Sequence, residues 1–189
     1  MKKIILSAAI LACGFTFNSC NKVANQLAQT IGWSGLDVTI DVPPSTAIGT
    51  YTAIGAGTFN YNLDSFIKSK TSDLLGMKNI EEFKFKSCQL TILNPGPTNS
   101  FGDFSDAKAE FSTSTKMTPK VKLGEVNGNP DGLSSSLTLP INTSDNMRPY
   151  LPASGPVTIY YNLSGTMRRV RTTTTTVNVH IEYEIKVKG

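Results

Sequence analysis

Histidine and tryptophan each occur once in this chain, and cysteine three times. One histidine, His180, makes a zinc site improbable, because zinc normally takes several His or Cys ligands. It also leaves any nucleophile–base pair a single histidine to use. Two of the cysteines, Cys13 and Cys20, lie in the first twenty residues, so Cys88 is alone in the body of the chain and no disulfide framework can hold it. Charge of one sign is scarce as well: 18 basic residues face 14 acidic ones, a net charge of +4. That excess is too mild for a nucleic-acid surface, and no nucleic-acid partner is expected. Also missing is any apolar run of the ~20 residues that a transmembrane helix needs.

The one long apolar stretch stands at the start. Lys2 and Lys3 precede it, and it runs from Ile4 to Phe17 with only Ser7, Gly14 and Thr16 as interruptions. A charged head followed by a short apolar core reads as a secretory signal peptide. The stretch ends in "FNSC", where Phe17, Ser19 and Cys20 resemble the lipobox of bacterial lipoproteins. That resemblance implies a signal peptide over residues 1–19, acyl chains such as palmitate on Cys20, and anchoring to the outer membrane on its periplasmic or surface face. A rival box, "ILAC", ends at Cys13 and leaves a shorter apolar core, Ile4 to Ala12.

Residues 20–35 are expected to form a tether. Val23, Ala24, Leu27, Ala28 and Ile31 fall at helical spacing, so the tether is either a short amphipathic helix with Trp33 near the headgroups or a flexible spacer. From Leu36 the period changes to two. Leu36, Val38, Ile40 and Val42 alternate with polar residues, as in a half-buried strand, and Pro43–Pro44 ends it. A helix is expected over roughly 64–75, capped by Asn62 or Asp64 and closed by Gly76. In "IEEFKFKSCQLTIL" (80–93) the inward phase slips between Phe85 and Cys88, which predicts a β-bulge near Lys86–Ser87. Further strands are expected around 107–111, 120–126 and 133–141, with a short helical turn at 144–152. The C-terminal strand is the plainest: Val177, Val179, Ile181, Tyr183, Ile185 and Val187 alternate strictly with polar residues. The expectation is an all-β chain, a single antiparallel β-sandwich over residues 36–189 with one or two short helices at its ends. In strand pattern and length it resembles the immunoglobulin-like domains common in exported bacterial lipoproteins.

Chemistry is thinly signalled. His180 sits among polar strand residues without a motif-borne partner. Cys88 shares the inward phase of Leu90 and Ile92, where a thiol is inert. "NGNPDG" (127–132) offers Asn127, Asn129 and Asp131 in the manner of a calcium loop, yet with a single carboxylate it reads as a turn. Glu182 and Glu184 share a strand face at a spacing that suits glycosidase carboxylates, alongside Lys186 and Lys188. Arg168, Arg169 and Arg171 form the densest charge cluster, and Tyr160 faces the polar side of its strand; these four are the candidate ligand or glycan contacts. No cofactor or metal is expected. The reading is a non-catalytic interaction or structural protein of the cell envelope with a protein or glycan partner. A glycan-binding module and a hydrolase are the alternatives.

Overall fold

The computed structural model describes residues 28–114 and 118–189. Eight strands run β1 Ala28–Val42, β2 Tyr51–Tyr61, β3 Ile80–Ile92, β4 Phe104–Ser112, β5 Val121–Asn127, β6 Ser136–Thr138, β7 Val157–Met167 and β8 Thr175–Lys188. They form two four-stranded antiparallel sheets, ordered β1-β8-β3-β6 and β2-β7-β4-β5. The signal-peptide and Cys20 expectations lie outside the described residues.

The sandwich and its alternation follow the sequence pattern, but the winding departs from it. An immunoglobulin domain places strands 1, 2, 5 and 4 in one sheet. Here the first strand pairs with the last, and every connection except β4–β5 crosses between sheets. That is the winding of an eight-stranded jelly roll. Hydrophobic periodicity tells which face of a strand is buried and nothing about which strand lies beside it, so the immunoglobulin-like expectation had no register information behind it.

β8 is central in its sheet, with β1 on one side and β3 on the other. Its six apolar residues are accordingly buried. Tyr183 reaches across the sandwich, and its hydroxyl meets that of Tyr161 on β7 at 2.8 Å. Both phenols are buried, and each satisfies the other's polar tip. The bulge expected near Lys86–Ser87 is present as a register shift between Phe85 and Ser87. A second shift, between Trp33 and Leu36 on β1, flanks the other side of β8.

The segment expected to be a tether is part of the fold from Ala28 onward, where β1 begins. Trp33 is buried rather than set at headgroups, and it stacks on Tyr61 at 4.3 Å and on Tyr183 at 5.1 Å. From Ala28 onward the strand prevails because Ile31 and Trp33 also satisfy a period of two; residues 20–27 of the tether lie outside the described residues. Helix α1 covers Leu63–Lys70, shorter than expected. Asn62 caps it through Oδ1, which accepts from the Ser65 N–H at 3.0 Å. Thr71, not Gly76, marks the C-terminal end. The Thr71 hydroxyl bonds the Ile67 carbonyl at 2.9 Å, and Ser72 and Asp73 then turn with positive φ. Leu63 and Ile67 plug the core, whereas Leu74 stays exposed. Strand 133–141 shrinks to β6, and the turn at 144–152 is a 3-10 helix over Arg148–Tyr150.

Candidate interaction surfaces

The winding sorts the connections between two ends. The segments 43–50, 93–103, 128–135 and 168–174 gather at one end. The start of β1, helix α1 and the end of β8 lie at the other.

The arginine cluster belongs to the first end and is consumed by it. Arg168 donates to the carbonyls of Gly102 (3.1 Å) and Phe104 (2.7 Å), and to that of Asn129. Arg169 pairs with Asp103 at 2.9 Å and with Asp131. Those two carboxylates hold its guanidinium above its ordinary pKa. Arg171 is buried, and its ring neighbour is Phe104, 5.3 Å from the guanidinium carbon. Its three nitrogens have no hydrogen-bond partner among the described residues. Burial lowers its pKa, against the opposing charge of Asp103. The sequence offered all three as ligand or glycan contacts; the crossing between sheets buries Arg171 and binds Arg168 and Arg169 to backbone and acid.

Further bonds fix the same end. Asn129, buried, donates to the carbonyls of Phe101 (2.8 Å) and Phe104 (3.1 Å). The Ser100 hydroxyl accepts from the N–H groups of Gly102 and Ser134, and Asp103 accepts from the Ser100 N–H at 3.2 Å. Asn129 and Asp131 of the calcium-like stretch are thus bonded to different partners and do not converge on a cation. Among the described residues, no three of His, Cys, Asp and Glu gather to hold a metal. On this pinned frame stand Ile48, Leu93, Leu133 and Val170, all exposed, Leu133 at 81%. Leu133 borders an open cavity of about 370 Å³ with Pro95, Pro97 and Ser100. Sequence reasoning missed these four. The available signal was a lone leucine in the polar run "NPDGLSSS".

Tyr160 lies near the opposite end, half-buried beside a groove of about 590 Å³ lined by Tyr150, Pro152, Pro156 and Thr158. Along β7, eight residues at ~3.3 Å each separate it from Arg168. Tyr160 and the arginines therefore do not form one site.

The outer face of β8 carries the remaining candidates. Glu182 accepts from the Ser87 hydroxyl at 2.8 Å, and Glu184 pairs with Lys86 at 3.2 Å. A shallow cavity of about 370 Å³ touches both carboxylates, together with Trp33 and Tyr183. The two bulges create it by offsetting the strands that flank β8. His180 Nδ1 lies 3.0 Å from Asp37 Oδ1, which also accepts from Asn178 at 2.8 Å. The Asn178 bond first, and the His180 bond second, hold the Asp37 carboxyl below its ordinary range. No hydroxyl or thiol is bonded to His180 among the described residues. Cys88, the other nucleophile candidate, is buried, and its thiol is pushed up to about 12 by that burial. A thiol so protonated is not nucleophilic at neutral pH.

No family model matches the chain, and no curated protein matches it in sequence. Among solved structures, it is similar to the VP2 subviral particle of infectious bursal disease virus (6% identity, TM-score 0.37) over 86% of this chain and 33% of that one. The Gx strain of the same virus gives 8% identity and a TM-score of 0.36, over 86% and 32%. The chain thus spans about a third of the length of these two. Desmodium yellow mottle tymovirus follows at 11% identity and a TM-score of 0.26, over 87% and 90%. At such scores the likeness carries no argument about function.

Proposed function

We propose that this chain is an exported interaction protein of a bacterial cell envelope, held to the outer membrane by acyl chains on Cys20 and without catalytic activity of its own. One observation carries the reading. Four exposed apolar side chains stand on loops tied by buried and half-buried hydrogen bonds, at the end away from the start of β1. Rigid apolar tips lose little entropy on docking, which favours a protein partner. An anchor at Cys20 would give the same orientation. Seven residues separate Cys20 from Ala28, and β8 alone spans ~3.3 Å for each of its residues. The pinned loops therefore sit at the far end from the anchor.

The anchor is tested by metabolic labelling with a clickable palmitate. Cys20→Ala is expected to lose the label and Cys13→Ala to keep it. The docking end is tested by placing a photo-cross-linker at Leu133 in intact cells. One dominant protein adduct, lost on Leu93→Ser with Val170→Ser, supports the reading; adducts unchanged by those substitutions would remove it. A glycan reading keeps one supporting observation, the Tyr150–Tyr160 groove with its flanking prolines. A glycan array in which Tyr150→Ala abolishes binding would transfer the function there.

A further inference from the structure

The two long sides of the sandwich treat their outermost strands differently. On one side the edge of β3 is covered nearly from end to end. The Asn146 side chain accepts from Phe83 N–H at 3.0 Å and donates to the Glu81 carbonyl at 3.0 Å, in the manner of a short strand. Met147 N–H, Arg148 Nε, Leu139 N–H and β6 take the remaining positions. The neighbouring edge strand β5 is guarded by Lys120, Lys122 and Glu125, and the Glu125 N–H donates to the Pro140 carbonyl at 3.2 Å. Charge and coverage are the usual protections of a strand edge.

The other side has β1, paired only with β8. Its C-terminal half is roofed by β2. A Cβ on Gly55 would come within 2.5 Å of Ile40 Cγ2, and one on Gly57 within 2.8 Å of Val38 Cγ1, so glycine lets β2 lie that close. Along the N-terminal half, Ala28–Ser34, β2 reaches the inner face, where Tyr61 stacks on Trp33. No described residue bonds the outer backbone groups of this half, and a Cβ on Gly32 would meet nothing within 4 Å. This stretch holds no charge and no proline. β8 keeps its own alternation through the bulge, so Ala28, Thr30 and Gly32 turn N–H and C=O away from it.

We propose that Ala28–Ser34 is a self-association edge, at which two copies of this chain pair antiparallel about a two-fold axis near Ile31. The segment is complementary to itself. With Ile31 opposite Ile31, Thr30 faces Gly32 and Ala28 faces Ser34 on the outer surface, so only small uncharged side chains meet. Like charges, which oppose self-pairing when they face one another, are absent. The bulge after Trp33 ends the flat section and limits the ladder to this stretch. An isologous contact consumes the edge it uses and therefore closes as a dimer. Both chains leave the ladder within a few residues of the axis, so two anchored copies can pair on one membrane. The proposal stands independently of the loop-end reading.

The test uses the full chain. The double variant Thr30→Cys with Gly32→Cys is expected to give a disulfide-linked dimer on non-reducing gels from intact cells, since Cys88 is buried. Thr30→Pro removes an N–H that points away from β8, and Thr30→Lys sets a charge on the outer face of the ladder, beside Lys186 of β8. Both are expected to sediment at half the mass of the native chain while unfolding cooperatively at a similar temperature. Native protein that sediments as a monomer at high concentration overturns the proposal. So does a dimer that survives both Thr30 variants. An edge occupied by a different protein would show as a mixed disulfide of unequal mass, and would overturn it as well. None of these outcomes depends on the cross-linker at Leu133.

Discussion

The two ends of the sandwich are closed by opposite means. At the end of α1 the closure is apolar: Leu63, Ile67, Met77 and Trp33 are buried there, with Tyr61 and Phe66 packed against the indole. At the loop end the closure is polar, made of Asp103, Arg168, Arg169, Asn129 and Ser100. An apolar plug hides its greasy atoms by doing its job. A polar lattice holds loops rigid while leaving their apolar tips free, and Leu133 and Leu93 are free in this way. The difference teaches that exposed hydrophobic residues here accompany local order, which is the arrangement a docking surface needs.

Cutting the apolar plug should have the largest effect. Ile67→Ala removes a fully buried side chain and is expected to cost about 2–5 kcal/mol in urea unfolding. The middle of the core supplies a control that belongs to neither end. The Cys88 thiol titrates at about 12 in the folded chain, against about 8.5 when unfolded. Its contribution is therefore whole below about pH 8.5 and lost as pH climbs toward 12, up to about 5 kcal/mol. Alkaline denaturation should be milder in Cys88→Ala, in slope though not in starting stability. Burial raises the Tyr161 and Tyr183 phenols too, and their loss runs in the same direction.

At the loop end, Asp103→Asn weakens the bond to Arg169 and is expected to cost about 1–3 kcal/mol, with faster hydrogen exchange confined to residues 99–104 and 128–135. Equal protection loss at α1 would mean that the two ends are one cooperative unit. The smallest effect on stability should come from Leu133→Ser, within about 0.5 kcal/mol. A large destabilisation by that substitution would end the comparison, because it would show Leu133 to be part of the packing.

Much of the fold was legible residue by residue. The inward set of β8, the slip of phase between Phe85 and Cys88, and the Asn62 cap were all written in local pattern, and each is found. Legibility failed where two periods agreed over a short stretch, as in residues 28–33, where a tether, helical or flexible, was expected and a strand is found. It failed again for the arginines. A run such as "MRRVR" reads as solvated because charge normally is, and only the crossing of residues 168–174 between sheets brings backbone carbonyls and Asp103 around it. The separation of Tyr160 from that cluster is of the same kind, since both lie on or beside one strand and only its length sets them apart.

By itself, the sequence determined which side of each strand is wet, where a strand must bend, and that no disulfide staples the core. These follow from side-chain parity and residue counts, which are local. The tertiary structure alone decided that the first strand lies beside the last, that Arg171 is buried while Leu133 is not, and that one long edge is covered while no described residue covers the edge of Ala28–Ser34. Those facts depend on pairing between residues far apart in the chain. Many windings bury the same alternating faces equally well, and the choice among them rests on contacts that no short window of sequence contains.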